Sequence, residues 1–300
     1  MRLAAAVSFL PTDSFNVVVL IAVFMLIALG LHFTFGLLNV VNLAHGEFLL
    51  IGAYTAFQVQ ETTGNVVLGI LLAPVVAAIV AILMERGILR SLYDRPLDSL
   101  LATFGLAVII RQVVQLIYSA NPRSVHDAIG GSFAVAGFNV PWWRLVVVIA
   151  TVGLVALVSV ILARTDFGLH ARATVRNPAL AETMGINVGV IRAALFALGS
   201  AIAGLAGALL APINTLDPQF GLLFLVNSFL VVLLGGQGSL RGLVVAAAVL
   251  GGSLSILQFV ISTVYAQIIV LVIAILGVRL RPVLAERIAA YRERRPSAQE

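Results

Sequence analysis

The sequence predicts an all-α, polytopic membrane protein with eight to nine transmembrane helices, and three observations carry that prediction. Of 300 residues, 61% are hydrophobic and only 10% charged, with a mean hydropathy of +1.11. A water-soluble domain carries ~25% charged residues, so this chain could not cover its surface in water. The apolar residues form continuous runs of the ~20 residues that a bilayer crossing needs, not the ~10-residue alternating segments of a barrel. Between two such runs lies a charged island, ARTDFGLHARATVRNPALAETMGINVGVIR, holding Arg164, Arg172, Arg176 and Arg192 against Asp166 and Glu182.

The net charge of +5 is carried by arginines at the ends of apolar runs, where the positive-inside bias places them, so it does not indicate nucleic acid. The absence of cysteine excludes disulfides, thiol catalysis and cysteine-ligated metals. No cofactor or metal is expected, and no cleavable signal is convincing.

Taken in order, the candidate spans are Phe15–Thr34, Val40–Phe57, Val66–Met84, Ser99–Tyr118, Trp142–Ala163, Val190–Ala211, Leu222–Leu234, Leu243–Ser262 and Val264–Val278. The last three are crowded, since Gly242 to Val278 is barely long enough for two crossings, which leaves the count at eight or nine. Arginines cluster in Glu85–Asp98, in the island, and in the tail from Arg279. Placing all three in the cytoplasm satisfies the charge bias and puts Asn121–Pro141 outside, with Trp142 and Trp143 as an interfacial anchor. The domain reading is a transmembrane unit over 1–278 with a cytoplasmic loop at 164–190, then a basic cytoplasmic tail at 279–300. That tail is expected to form a short helix along the membrane surface.

Two interruptions occupy corresponding places. FGLLNVVN at Phe35–Asn42 returns as FGLLFLVN at Phe220–Asn227, differing only at Asn39/Phe224 and Val40/Leu225. The first leads into NLAHGEF, which sets Asn39, Asn42, His45 and Glu47 in apolar surroundings; the second follows Asn214, Asp217, Pro218 and Gln219. Interrupted apolar segments at matching positions of two halves point to a solute site, because unwound backbone in a membrane must face protein or a water-filled path. The solute-lining set is therefore Asn39, Asn42, His45, Glu47, Asn214, Asp217 and Asn227. The competing reading makes Asn39, Asn42 and Glu47 hydrogen-bonding contacts between helices at a helix start, and for His45 alone the structural role is the stronger. Arg111, inside the fourth span, is expected to snorkel outward; the alternative is that it neutralises Glu47 or Asp217. GSAIAGLAG at Gly199–Gly207 reads as a helix-packing face.

Within the island, Asn177 is an N-cap and Pro178 the first helical residue. Ala179–Met184 are good helix formers and Gly185 is a stop. A two-turn helix flanked by Arg172 and Arg176 and carrying Ala181 and Glu182 suits insertion into a partner's groove.

Here a resemblance enters. ALAETMG is similar to the E-A-A-x-x-x-G loop of ABC-importer permeases, matching it only at Ala181 and Gly185. That departing form, with NVVNLAHGEFLLIGAY, FALGSAIAGLAGAL and VVLLGGQGSLRG, resembles the permeases of branched-chain amino acid and urea ABC importers over nearly the whole chain. The segment LYDRPLDSLLATFGLAVI from Leu92 looks most like the urea-importer permease, so urea is the favoured solute, with branched-chain amino acids or short amides next. The resemblance implies a bacterial inner-membrane location, a second homologous permease, two cytoplasmic ATPase subunits, a periplasmic solute-binding protein and no ATP site on this chain; no G-x-x-x-x-G-K-[ST] is present.

Two other classes compete. A self-contained channel or ion-coupled carrier would have no use for the island. An intramembrane enzyme would have to use His45 and Glu47, which lack a serine-nucleophile motif or metal-ligand spacing beside them.

Overall fold

The computed structural model describes residues 12–293 except 39, 94, 136, 137 and 237. Its helices are α1 (Thr12–Leu31), continued as a π-helix over His32–Leu37, α2 (His45–Thr63), α3 (Val66–Gly87), α4 (Pro96–Tyr118) and α5 (Trp142–Arg164). They continue as α6 (Asp166–Arg176), α7 (Pro178–Thr183), α8 (Val188–Leu210), α9 (Phe220–Gly235), α10 (Leu240–Val260) and α11 (Thr263–Glu293). A small antiparallel hairpin of β1 (Ser132–Val135) and β2 (Phe138–Pro141) precedes α5.

Seven helical segments among the described residues are long and apolar enough to cross a bilayer: Phe15–Leu37, Val66–Gly87, Pro96–Tyr118, Trp142–Arg164, Val188–Ile213, Leu240–Val260 and Thr263–Leu280. Two of the predicted spans do not qualify alone. α9 has 16 residues, which at ~1.5 Å per residue falls short of a ~30 Å core. α2 begins at His45, five residues later than expected, and its last turns are the polar Gln58–Thr63. Both belong to the interrupted pair.

Large side chains such as Leu71, Leu83, Leu101, Leu116 and Ile149 are exposed on α3, α4 and α5. No soluble protein leaves so much apolar surface open, and these faces meet lipid or membrane partners. The centre is formed by α1, α2 and α8, where small residues let backbones approach. A Cβ on Gly30 would lie 2.6 Å from the Gly199 carbonyl oxygen, and one on Gly199 the same distance from that of Gly30. Gly204 meets α3 and Gly207 meets α2, as the small-residue face of α8 predicts.

The packing repeats. α3 against α8 is mirrored by α10 against α1, α2 against α8 by α9 against α1, and α2 against α3 by α9 against α10. α1–α3 and α8–α10 thus pack as two matching three-helix units, separated by α4–α7. The register differs from the one expected. Phe35 sits in the π-helix that ends α1, whereas Phe220 begins α9, so the eight-residue likeness joins opposite ends of unlike elements. The equivalent residues are Asn42 and Asp217. The Ala44 N–H donates to Asn42 Oδ1 (3.0 Å) and the Gln219 N–H to Asp217 Oδ1 (2.6 Å). His45 N–H then bonds the Asn42 carbonyl, and Phe220 N–H the Asp217 carbonyl. The mistaken register has a simple cause: Gly, Leu and Val recur throughout this chain, so short identities among them arise easily.

The island contains two helices, not one. Thr165 caps α6 by accepting from the Gly168 N–H (3.2 Å), and Asn177 caps α7 by accepting from the Leu180 N–H (3.0 Å). After α7 the Gly185 N–H bonds the Glu182 carbonyl and the Ile186 N–H that of Ala181, both at 3.0 Å, with Gly185 at φ +84°. This paired closure needs a left-handed residue, which is why glycine stands there. At the other end of the sequence, α11 runs without a break through Leu280 to Glu293, so the tail continues the last helix instead of forming a separate one; residues 294–300 lie outside the described set.

Candidate functional site

The non-helical stretch after the π-helix leaves backbone groups that the membrane cannot satisfy. Leu38 and Val40 N–H groups return to the Phe33 and Thr34 carbonyls (3.3 and 3.2 Å). The Leu43 N–H donates to Thr103 Oγ1 on α4 (3.2 Å), and that hydroxyl lies 3.4 Å from the Val41 carbonyl. Asn42 is fully buried, and its side-chain oxygen accepts from the Ala44 N–H in the turn that precedes α2. His45 is fully buried too, and its Nε2 donates to the Ile27 carbonyl of α1 (3.2 Å). The same carbonyl accepts from Ser228 Oγ of α9 (3.3 Å). His45 thereby braces α2 against α1.

Glu47 is 1% exposed and pairs with Arg111, whose guanidinium donates to Glu47 Oε1. Arg111 does not snorkel. It turns inward because an ionised Glu47 in an apolar site costs more than bringing a cation to it. The pair ties the outlying α4 to α2. Asn39 lies outside the described residues.

The predicted residues thus divide. Asn42, His45 and Glu47 make bonds that hold the first interruption together, and Asp217 closes the turn of the second through the Gln219 N–H. Of the predicted set, Asn214 and Asn227 line an open space. That space is a cavity of about 580 Å³ bounded by α1, α5, α8, α9, α10 and α11. Its volume lies within the ~300–1,000 Å³ of small-molecule sites. Asn16, Arg144, Asn214, Gln258 and Gln267 supply polar groups near helix ends, and Asn227 and Ser255 lie further along α9 and α10. Val19, Val23, Phe24, Ile27, Leu210, Phe224 and Leu254 make the remainder apolar. A second space of about 550 Å³, sharing Asn214, Phe224, Asn227 and Gln267, continues along α9 and α11.

Sequence reading missed Asn16, Arg144, Gln258 and Gln267. Each stands near the end of a span, where a polar residue reads as an interfacial anchor. Nothing local distinguishes one that turns into a cavity.

The cavity lies at the end of the molecule where α5 starts; the island lies at the end where α5 stops, some 22 residues and ~33 Å away. At the island end Leu180 and Met184 of α7 are exposed, with Glu182, Arg172, Arg176 and Asn177 exposed around them, while Ala181 is buried against the rest of the molecule. Arg192 at the start of α8 lies over the Tyr93 ring at 5.1 Å. Tyr93 donates to Glu85 at 3.3 Å. Burial, and then the Glu85 carboxylate, push the Tyr93 hydroxyl well above its ordinary value, so it remains a donor. The island is thereby seated on the connection between α3 and α4.

Comparison with known proteins gives a consistent picture. The family described as branched-chain amino acid transport system / permease component matches residues 14–278. The probable branched-chain amino acid transport permease protein LivH of Methanocaldococcus jannaschii is 27% identical, over 86% of this chain and 86% of that protein. The high-affinity branched-chain amino acid transport system permease protein LivH of Escherichia coli K12 is 25% identical, over 89% and 92%. BraD of Pseudomonas aeruginosa, named for the same high-affinity system, is 25% identical over 86% and 90%. No solved structure shows significant similarity to the chain.

Proposed function

The chain belongs to the branched-chain amino acid transport permease family, and from that premise we propose that it is the membrane subunit of an ATP-driven importer for small apolar amino acids. The observation that carries the solute reading is the cavity at the α5 start, with polar groups near its helix ends and an apolar remainder. A branched-chain amino acid has that same division, a polar head on an apolar side chain. Urea, favoured from the Leu92 segment, would leave the apolar wall without a partner, and the relatives above are named for branched-chain amino acids.

The cavity end faces the periplasm in this reading, where a solute-binding protein delivers its load. The island end faces the cytoplasm. There α7, with Arg172, Arg176, Asn177, Ala181, Glu182 and Gly185, seats on one of two ATPase subunits. A second homologous permease covers part of the exposed apolar surface, and the complex resides in the bacterial inner membrane. The chain itself carries out no covalent chemistry; its part is to hold the path and transmit the ATPase movement.

The test is reconstitution of the permease pair, ATPase subunits and binding protein in liposomes, followed by uptake of labelled leucine and labelled urea with and without ATP. ATP-dependent leucine uptake supports the reading; urea uptake without leucine uptake overturns the solute class. Uptake of either solute by this chain alone would favour a self-contained carrier.

A further inference from the structure

Arg144 is the one formal charge on the wall of the cavity: among the described lining residues there is no Asp, Glu or His. It is half-buried at the second position after the Trp142 start of α5. Its Nη1 donates to Asn16 Oδ1 of α1 at 2.8 Å, which fixes the guanidinium between two helices. Among the described side chains, which do not include that of Asp13, no carboxylate pairs with it. A guanidinium offers five N–H donors in a planar fork that matches a carboxylate bidentately, and only one of these is engaged by Asn16. By contrast, the cations at 95 and 111 each have an acidic partner.

The asparagines on the same wall are turned the other way. Asn214 donates its amide N–H to the Leu210 carbonyl (2.9 Å) and Asn227 to the Leu223 carbonyl (3.4 Å). Each spends a donor on its own backbone and keeps its oxygen as an acceptor, the group an ammonium needs. Donors for an anion and acceptors for a cation thus share one cavity with an apolar floor.

We infer that Arg144, braced by Asn16, is the carboxylate anchor of the cavity, and that it selects a zwitterionic amino acid over an uncharged amide of similar size. This rests on the proposed import of apolar amino acids and adds the residue that discriminates. The anchor lies where the solute enters, so it acts on transfer from the binding protein into the membrane path. A polar solute without a carboxylate leaves the guanidinium desolvated and unpaired, which is a larger source of selectivity than a missing methylene.

The experiment uses the complete importer in liposomes with saturating leucine-loaded binding protein. It compares wild type with Arg144→Gln and Arg144→Lys, and measures the affinity of the binding protein for each complex in parallel. Arg144→Gln is expected to lower initial leucine uptake about tenfold or more, with Arg144→Lys intermediate and binding-protein affinity unchanged. Wild-type leucine uptake in Arg144→Gln overturns the anchor and leaves the importer reading standing. A fall in uptake matched by an equal fall in binding-protein affinity also overturns it, because Arg144 would then be a docking contact for that protein. A wild-type complex that carries urea and not leucine overturns the importer reading and the anchor together. If Arg144→Gln does not assemble, Arg144→Lys decides: uptake equal to wild type removes any need for the fork.

Discussion

Gly46 and Gly221 meet backbone to backbone where the first turns of α2 and α9 cross. A Cβ on Gly46 would lie 2.5 Å from the Gly221 carbonyl oxygen, and one on Gly221 would come closer still to that of Gly46. The two glycines are equivalent in the repeat, each following a side-chain-capped turn from Asn42 or Asp217. Their contact is where the two three-helix units meet directly through the interrupted helices.

Because both obstacles are carbonyl groups and not flexible side chains, alanine at either glycine forces the helices apart. Overpacking of this kind costs ~1–3 kcal/mol. Gly46→Ala and Gly221→Ala are each expected to lower the thermal midpoint of the detergent-solubilised permease, measured by the loss of monodisperse protein after heating. Gly105→Ala, with nothing near its Cβ position, should leave the midpoint unchanged. A Gly46→Ala midpoint equal to wild type would show that the crossing is looser than these distances require.

The Glu47–Arg111 pair should behave as a unit. Removing one member leaves a buried charge uncompensated, at a cost of ~3–5 kcal/mol, whereas replacing both by apolar residues is often close to neutral. Glu47→Leu and Arg111→Leu are each expected to reduce folded yield severely, and the double substitution to restore most of it. Additive losses in the double mutant, read from the same heating assay, would mean that the two residues stabilise the protein independently.

How much of this could be read from the chain depends on how local each signal is. The helices at Val66, Trp142 and Val188 follow from apolar run length, and the capped α7 follows from Asn177, Pro178 and Gly185 within nine residues. The Glu47–Arg111 pair joins residues 64 apart, and no local pattern says which way an intramembrane arginine turns. The repeat was hidden for a related reason. Its true register preserves Gly46/Gly221 and the turn chemistry of Asn42/Asp217, while the more conspicuous identity at Phe35 and Phe220 reflects a chain rich in Leu, Val and Gly. The cavity was visible only at Asn214 and Asn227, because Asn16 and Arg144 come from helices 128 residues apart.

Asn42 and Asn227 are therefore expected to fail differently. Asn42 is buried and its Oδ1 closes the turn before α2, so Asn42→Leu leaves the buried Ala44 N–H without that partner, at ~1–3 kcal/mol, and should lower stability. Asn227 lines the cavity, so Asn227→Leu should slow leucine uptake by the complete importer with little change in thermal midpoint. Equal effects on stability and uptake in both variants would return them to the equivalence that the sequence first suggested.

The proposed coupling to an ATPase subunit is tested at Gly185. Its φ of +84° belongs to a region that β-branched residues resist, and nothing lies within 4 Å of its Cβ position, so Gly185→Val acts through the backbone alone. The closing bonds from Gly185 and Ile186 to the end of α7 would be lost, and with them the placement of exposed Leu180 and Met184. The substitution lies on an exposed turn outside the spans, so insertion and the thermal midpoint of the transmembrane core should change little. Leucine uptake and transport-linked ATP hydrolysis should fall together, and the ATPase subunits should co-purify less well. An Ala substitution at the same place, which tolerates φ > 0 better than Val, should lie between the two. If Gly185→Val retained full uptake and full ATPase recovery, α7 would be a plain connection between α6 and α8, and the proposed ATPase contact would have to lie elsewhere at the island end.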